Sequence, residues 1–412
     1  MGKTAGRSPL APSIMAEPVK VPGVRFATVA TGLRYKGRDD LLLVGLDEGT
    51  TVGGVFTRSN TAGHPVLWSR RILPKGRARA VIVNAGNANV FRGAEGDAAV
   101  RLEAETVAGT LGCAPEEVYV ASTGVIGDRL PVEGICAHVP GLAENLAEAG
   151  LDRAAAAIMT TDTFAKWAVA RTEIGGKPVT IAGIAKGSGM IAPDMATMLS
   201  FIFTDAALPS TVVQELVARG ADRSFNATTV DSDTSTSDTV LLLATGKAGN
   251  SEPSSADDSS IAAFRDALEG LMRELALLVV RDGEGAQKLI TIHVRGAVDD
   301  GAARRVGLAI GNSPLVKTAI AGEDANWGRI IMAVGKSGET IENELIAIAF
   351  GGHAVAENGG GLVDLDEAPI NAHLAGREIE IDVTIGSGSG SATVWTCDLT
   401  HGYIDINADY RS

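Results

Sequence analysis

The stretch Gly183-IAKGSGMIAPDMATMLSFIF-Thr204 decides how this chain is read. Gly187 and Gly189 permit tight or left-handed turns. Pro193 biases Ala192 toward extended or turn geometry. From Met198 to Phe203 the residues are mostly apolar, include Ile202 and two phenylalanines, and are few enough for one buried strand. Thr197 therefore stands where a constrained loop meets a core strand. Taken alone, the segment is a turn followed by a strand.

Working outward, Leu41–Leu46, residues 80–86, 118–124, 179–185 and 239–246 also read as strands. Further strands are expected over residues 289–294 and 379–385. Helices are expected over residues 98–112, ended by Gly112, over 151–159, over 209–219 with Pro209 near the start, and over 261–281. In the last of these Ile261, Phe264, Leu268, Leu271 and Leu275 recur at helical intervals. Pro140 is expected to break the chain before a short helix over residues 141–149. Residues 249–260 are polar and read as surface, and residues 386–392 as a tight loop between strands. The alternation of strands and long helices makes this a mixed α/β chain.

The 412 residues are enough for two or three domains. Residues 1–20 read as a flexible tail with no apolar signal core. The formal charge of -14, from 36 basic and 50 acidic residues, argues against nonspecific nucleic-acid binding and leaves small-molecule partners open. No apolar run is long enough to span a membrane. Three cysteines, Cys113, Cys136 and Cys397, give no disulfide framework and suggest a reducing cytoplasm.

No metal is expected. The six histidines make no pair at ligand spacing, and the acidic run Asp231–Asp238 lacks the central glycine and terminal glutamate of a calcium loop. Gly187 and Gly189 lack the rest of a dinucleotide fingerprint, and Lys186 precedes its glycines, unlike a phosphate loop. Threonine remains as a candidate nucleophile, beside the plain reading of a turn and a strand. Its hydroxyl is weak without an adjoining base. Cleavage before Thr197 would supply one as an α-amine with a pKa of about 8.

Ala185-KGSGMIAPDMATMLS-Phe201 resembles the processing site of the ornithine acetyltransferase family of arginine biosynthesis. Eight further blocks follow the family order. They are Asn84-AGNA-Asn89, Ala121-STGVI-Gly127, Met159-TTD-Thr163, Ser224-FNATTVDSDTS-Thr236, Arg281-DGEGAQ-Lys288, Asn312-SPLVKTA-Ile320, Gly322-EDANWGR-Ile330 and Cys397-DLTHGYIDINADYR-Ser412.

The resemblance implies self-cleavage between Ala196 and Thr197 into an α chain ending at 196 and a β chain, 197–412, assembled as α2β2. It implies the self-processing α/β architecture related to an aminopeptidase. The implied reaction moves acetyl from N2-acetyl-L-ornithine to L-glutamate, giving L-ornithine and N-acetyl-L-glutamate. Acetyl-CoA serves some members as a second donor; no cofactor is implied. Thr197 matches the nucleophile, and Thr123 and Gly124 the oxyanion pair. Thr161, Lys186, Glu284, Asn407 and Ser412 match substrate contacts. The runs 84–89, 231–238 and 326–329 are assigned to architecture. Ser237 and Ala325 stand where the family more often has Asn and Pro. An N-terminal-threonine amidohydrolase or aminopeptidase, with water as acceptor, is the alternative reading, and a binding protein without turnover the third.

Overall fold

The structure is a computed structural model describing residues 6–192 and 198–408. Its frame is a pair of sheets packed face to face. One orders its strands Val24–Val29, Leu41–Leu46, Ala80–Asn87 and Val118–Val125. The other orders them Thr51–Phe56, Thr239–Ala244, Leu199–Thr204, Lys177–Lys186 and Lys166–Ile174.

The apolar run of the opening stretch is the central strand of this second sheet. It runs parallel to Thr239–Ala244 and antiparallel to Lys177–Lys186. Leu199, Phe201 and Phe203 point into the core between the sheets. Ile202 points the other way, into a core closed by the helices Ser210–Asp222 and Ala262–Arg281. Both faces are buried, which is why the strand reads as a mostly apolar run without polar alternation. Phe203 meets Phe26 of the first sheet edge to face, 5.3 Å between ring centres.

Helices His64–Ile72, Gly93–Leu111 and Val132–Glu144 pack on the first sheet. The order of layers is helix, sheet, sheet, helix. A third sheet, formed by residues 289–397, has its own core against Asp300–Gly311, Pro314–Ala321 and Trp327–Gly335. No described helix is long and apolar enough to cross a membrane.

The strands and helices expected from periodicity are present, with one correction. Pro140 does not break the chain; it lies inside the helix Val132–Glu144, and residues 145–149 are not helical. Val132, Ile135, Val139 and Leu142 form the buried stripe, while Pro140 is exposed. The helix stopped by Gly112 begins at Gly93, earlier than its apolar pattern. Gly112 takes φ 69° and returns its N–H to Ala108.

Candidate active site

Strand ends from both sheets converge on one cavity of about 330 Å³. Thr123 and Gly124 close the strand Val118–Val125. Gly124 lies in register with Gly86, at φ 129° and 112° respectively. A Cβ on Gly124 would sit 2.3 Å from the Gly86 carbonyl carbon and 2.7 Å from the Asn87 nitrogen. Two backbones approach here as closely as only glycine allows. The neighbouring asparagines tie the loop together. Asn84 Nδ2 donates to the Asn87 carbonyl at 2.9 Å, and the Asn89 N–H donates to Asn87 Oδ1 at 2.8 Å.

Lys186 ends the strand Lys177–Lys186 and is 2% exposed. Its Nζ donates to Thr123 Oγ1 at 3.3 Å. That leaves the Thr123 hydroxyl proton free to point into the cavity. Burial pulls the Lys186 ammonium below its ordinary pKa, against the opposing pull of Asp162.

The chain then turns through Gly187. Its N–H donates to Asp162 Oδ1 at 2.7 Å. Ser188 Oγ pairs with Thr161 Oγ1 at 2.6 Å, and the Ser188 carbonyl accepts the Glu284 N–H at 2.9 Å. A Cβ on Gly189 would strike the Glu284 carboxylate at 2.4 Å. Asn407 Nδ2, on the helix His401–Asn407, donates to Glu284 Oε2 at 2.7 Å. Burial pushes the Glu284 carboxyl up, with the Asn407 and Thr161 hydrogen bonds opposing.

Thr123, Gly124, Thr161, Lys186, Glu284 and Asn407 all line this cavity. They are the six sequence-assigned site residues within the described part of the chain. Ala196, Thr197 and Ser412 lie outside it. Residues flanking 193–197 are nevertheless anchored. The Asp231 carboxylate accepts the N–H groups of Met190 and Ile191 at 2.6 and 2.8 Å. Asp238 Oδ1 accepts the Met198 N–H at 2.9 Å. The acidic run that superficially suggested a calcium loop thus ties down backbone on both sides of residues 193–197. Burial pushes both of these carboxyls up, Asp238 well above the ordinary value. Among the described residues, no cluster of three His, Cys, Asp or Glu side chains is arranged to hold a metal.

A paired hydroxyl and backbone turn, a buried ammonium and a buried carboxyl suit a small zwitterion and an acyl carbonyl. The ArgJ family model matches residues 25–412. The chain belongs to the ArgJ family. It is similar to the "Arginine biosynthesis bifunctional protein ArgJ" of Gluconobacter oxydans, 54% identical over 98% of this chain and 96% of that one. Among solved structures it is similar to the protein of the same description from Bacillus halodurans. That match is 40% identical over 50% of this chain and 95% of that one, with a TM-score of 0.48. The ornithine acetyltransferase from Mycobacterium tuberculosis, solved with ornithine, is 37% identical over 45% of this chain and 95% of that one, with a TM-score of 0.37.

The resemblance read from the sequence blocks is the ArgJ family, and the match extends well before the first of them. Some residues of this ArgJ-family site escape that reading. Gly189, Met190, Ser235, Thr236 and Ser237 also line the cavity. Ser237, one of the two departures, therefore falls on its wall. Beneath the cavity lies a buried ion cluster of Asp162, Lys166 and Asp282. The two aspartates sit inside recognised blocks; Lys166 has no local signal, since its role depends on strands meeting in space.

Proposed function

We propose that this chain transfers an acetyl group from N2-acetyl-L-ornithine to L-glutamate through an acetyl ester on Thr197. The observation that carries this reading is the convergence of Thr123, Gly124, Thr161, Lys186, Glu284 and Asn407 on one cavity. Residues 193–197 join two anchored segments: Ile191 N–H is held by Asp231, and Met198 N–H by Asp238.

Processing comes first. The Thr197 hydroxyl attacks the Ala196 carbonyl, the peptide shifts from nitrogen to oxygen, and water hydrolyses the ester. The products are a carboxylate at Ala196 and a free amine on Thr197. The chains on either side of this bond share one sheet. Residues 51–56, 166–174 and 177–186 precede it, and 199–204 and 239–244 follow it. Hydrogen bonding and packing of that central strand would keep the products together.

In transfer, the new amine accepts the Thr197 hydroxyl proton as oxygen attacks the acetyl carbonyl. Negative charge forms on the carbonyl oxygen. The Thr123 O–H and the Gly124 backbone are the donors assigned to it. A single such donor contributes about 3 kcal/mol to lowering a barrier. The departing amine of ornithine takes a proton, and acetyl remains on Thr197. The amine of glutamate then attacks the ester. Lys186 is assigned to the α-carboxylate that both amino acids carry, and Glu284 to the cationic end of ornithine. Ser412 is assigned to the same substrate site.

The word "bifunctional" in the relatives' names supports a second acetyl donor for glutamate, assigned here to acetyl-CoA. We further assign the protein to the cytoplasm, as an α2β2 assembly of the two cleaved chains.

The test is intact mass under denaturing conditions for wild type and Thr197→Ala, followed by acetyl transfer assays. Wild type is expected as two fragments meeting at 196/197, the variant as one inactive chain. Acetylornithine consumption should depend on glutamate. Consumption indifferent to glutamate would convert the assignment to a hydrolase, and an active wild type that stays whole would remove the free-amine mechanism.

A further inference from the structure

The ion cluster beneath the cavity is out of balance. Lys166 is fully buried, and its Nζ lies 2.6 Å from both Asp162 Oδ1 and Asp282 Oδ2. One ammonium faces two carboxylates. Asp282 has further support: its Oδ2 accepts the Thr163 N–H at 2.8 Å, and its Oδ1 accepts the Thr163 hydroxyl. Asp162 reaches the other way. Its Oδ1 accepts the N–H of Gly187, the residue after Lys186. Its Oδ2 accepts the Thr160 N–H at 2.9 Å, beside Thr161 on the cavity wall.

We propose that Asp162 is the counter-ion of Lys186, a positioning residue that keeps this lysine charged and aimed at Thr123. It acts through Lys186 and the Gly187 backbone, without touching substrate. Four charged or titratable groups face Lys186: Asp162, Lys166, Glu284 and Asp238. Lys166 repels it. Burial pushes the Glu284 and Asp238 carboxyls up, toward their neutral forms. For Asp162 burial works in the same sense, but Lys166, then Lys186 and the hydrogen bonds outweigh it and hold the carboxyl below its ordinary value. Asp162 alone among the three acids is held below its ordinary value. A charged Lys186 also fixes the direction of its bond to Thr123: nitrogen donates, and the threonine proton is left for the cavity.

The inference rests on the assignment of Lys186 to the substrate site, so the test reads Lys186 without turnover. The full-length protein is labelled with a small amine-reactive anhydride across a pH series, and the Lys186 peptide is quantified by mass. In Asp162→Asn the carboxamide oxygen still accepts from Gly187, and Lys166 keeps Asp282. The midpoint of Lys186 labelling is expected to fall by about one to two pH units. The alkaline limb of kcat should fall with it. Asp282→Asn breaks the same ion cluster at the side remote from Lys186 and should leave the midpoint unmoved. An unmoved midpoint in Asp162→Asn, or an equal shift in both variants, overturns the proposal. Should Asp162→Asn fail to fold, the wild type decides: a midpoint above about pH 8 supports the counter-ion, and any lower midpoint overturns it. Absence of acetyl transfer with the labelling shift intact would sink the reaction and leave Asp162 as assigned.

Discussion

Glu103 is the carboxyl least suited to its place. It sits on the inner face of the helix Gly93–Leu111, 1% exposed, and its Oε2 has no hydrogen-bond partner. Burial alone pushes its pKa up to about 8, from 4.5. Below pH 4.5 the group is protonated in both folded and unfolded chains and has no effect. Above that, the unfolded chain ionises while the folded one stays neutral, so stability falls as pH rises. The slope is about 1.4 kcal/mol per unit, flattening once the folded group also ionises near pH 8. By pH 7 the accumulated loss is about 3 kcal/mol. Glu103→Gln removes the titration while keeping the shape. In urea titrations the wild type should lose stability between pH 5 and 8 by an amount the variant does not. Parallel decline in both would show that the folded state already compensates the charge. The acids in and around the candidate site differ from Glu103 in having partners: Glu284 has Asn407, and Asp238 has the Met198 N–H.

At the scale of elements, the helix Val132–Glu144 shows packing overriding a local rule. Four buried side chains one helical turn apart hold it across Pro140. Pro140→Ala restores a backbone donor on the exposed face and is expected to stabilise by about 1–3 kcal/mol. Chemical denaturation measures this; a lower midpoint would mean that the ring itself packs. The same competition explains what the sequence made legible. Strands buried on both faces, such as Leu41–Leu46 and Leu199–Thr204, announce themselves as apolar runs. Edge strands do not: Val24–Val29 and Lys166–Ile174 mix polar and apolar residues, because one side of each is half open. The site divides likewise. Thr123, Gly124, Lys186 and Glu284 lie in contiguous motif blocks and were readable. The Lys166 cluster joins residues 116 positions apart and required the fold. Ser237 and the backbone anchors at Asp231 and Asp238 became intelligible only once the cavity was seen between them.

For the whole molecule, the question is how far the support of the site extends. The sequence before residue 25, outside the matched family region, offers little periodicity or motif to place it. Residues 6–20 nonetheless run along the Lys166 edge of the second sheet. Leu10 is buried in the core under Ala262–Arg281. Trp167 Nε1 donates to the Ala16 carbonyl at 2.8 Å, and the Arg7 guanidinium stands 5.9 Å over the Phe164 ring. Most directly, the Ser8 N–H donates to Thr163 Oγ1 at 2.9 Å, and that hydroxyl donates to Asp282. A hydrogen-bonded line therefore runs from Ser8 through Thr163, Asp282, Lys166 and Asp162 to the Gly187 backbone at the cavity. Two variants separate its packing from its polar contribution. Leu10→Ala removes a buried side chain and should cost about 2–4 kcal/mol, with kcat little changed in the folded fraction. Deleting residues 2–16 should cost more and also lower kcat, because Thr163 loses its donor and Asp282 its outer support. Thermal unfolding and transfer kinetics on the same samples check both. Equal kcat in the deletion and the wild type would confine this segment to packing, and would end the polar line at Thr163.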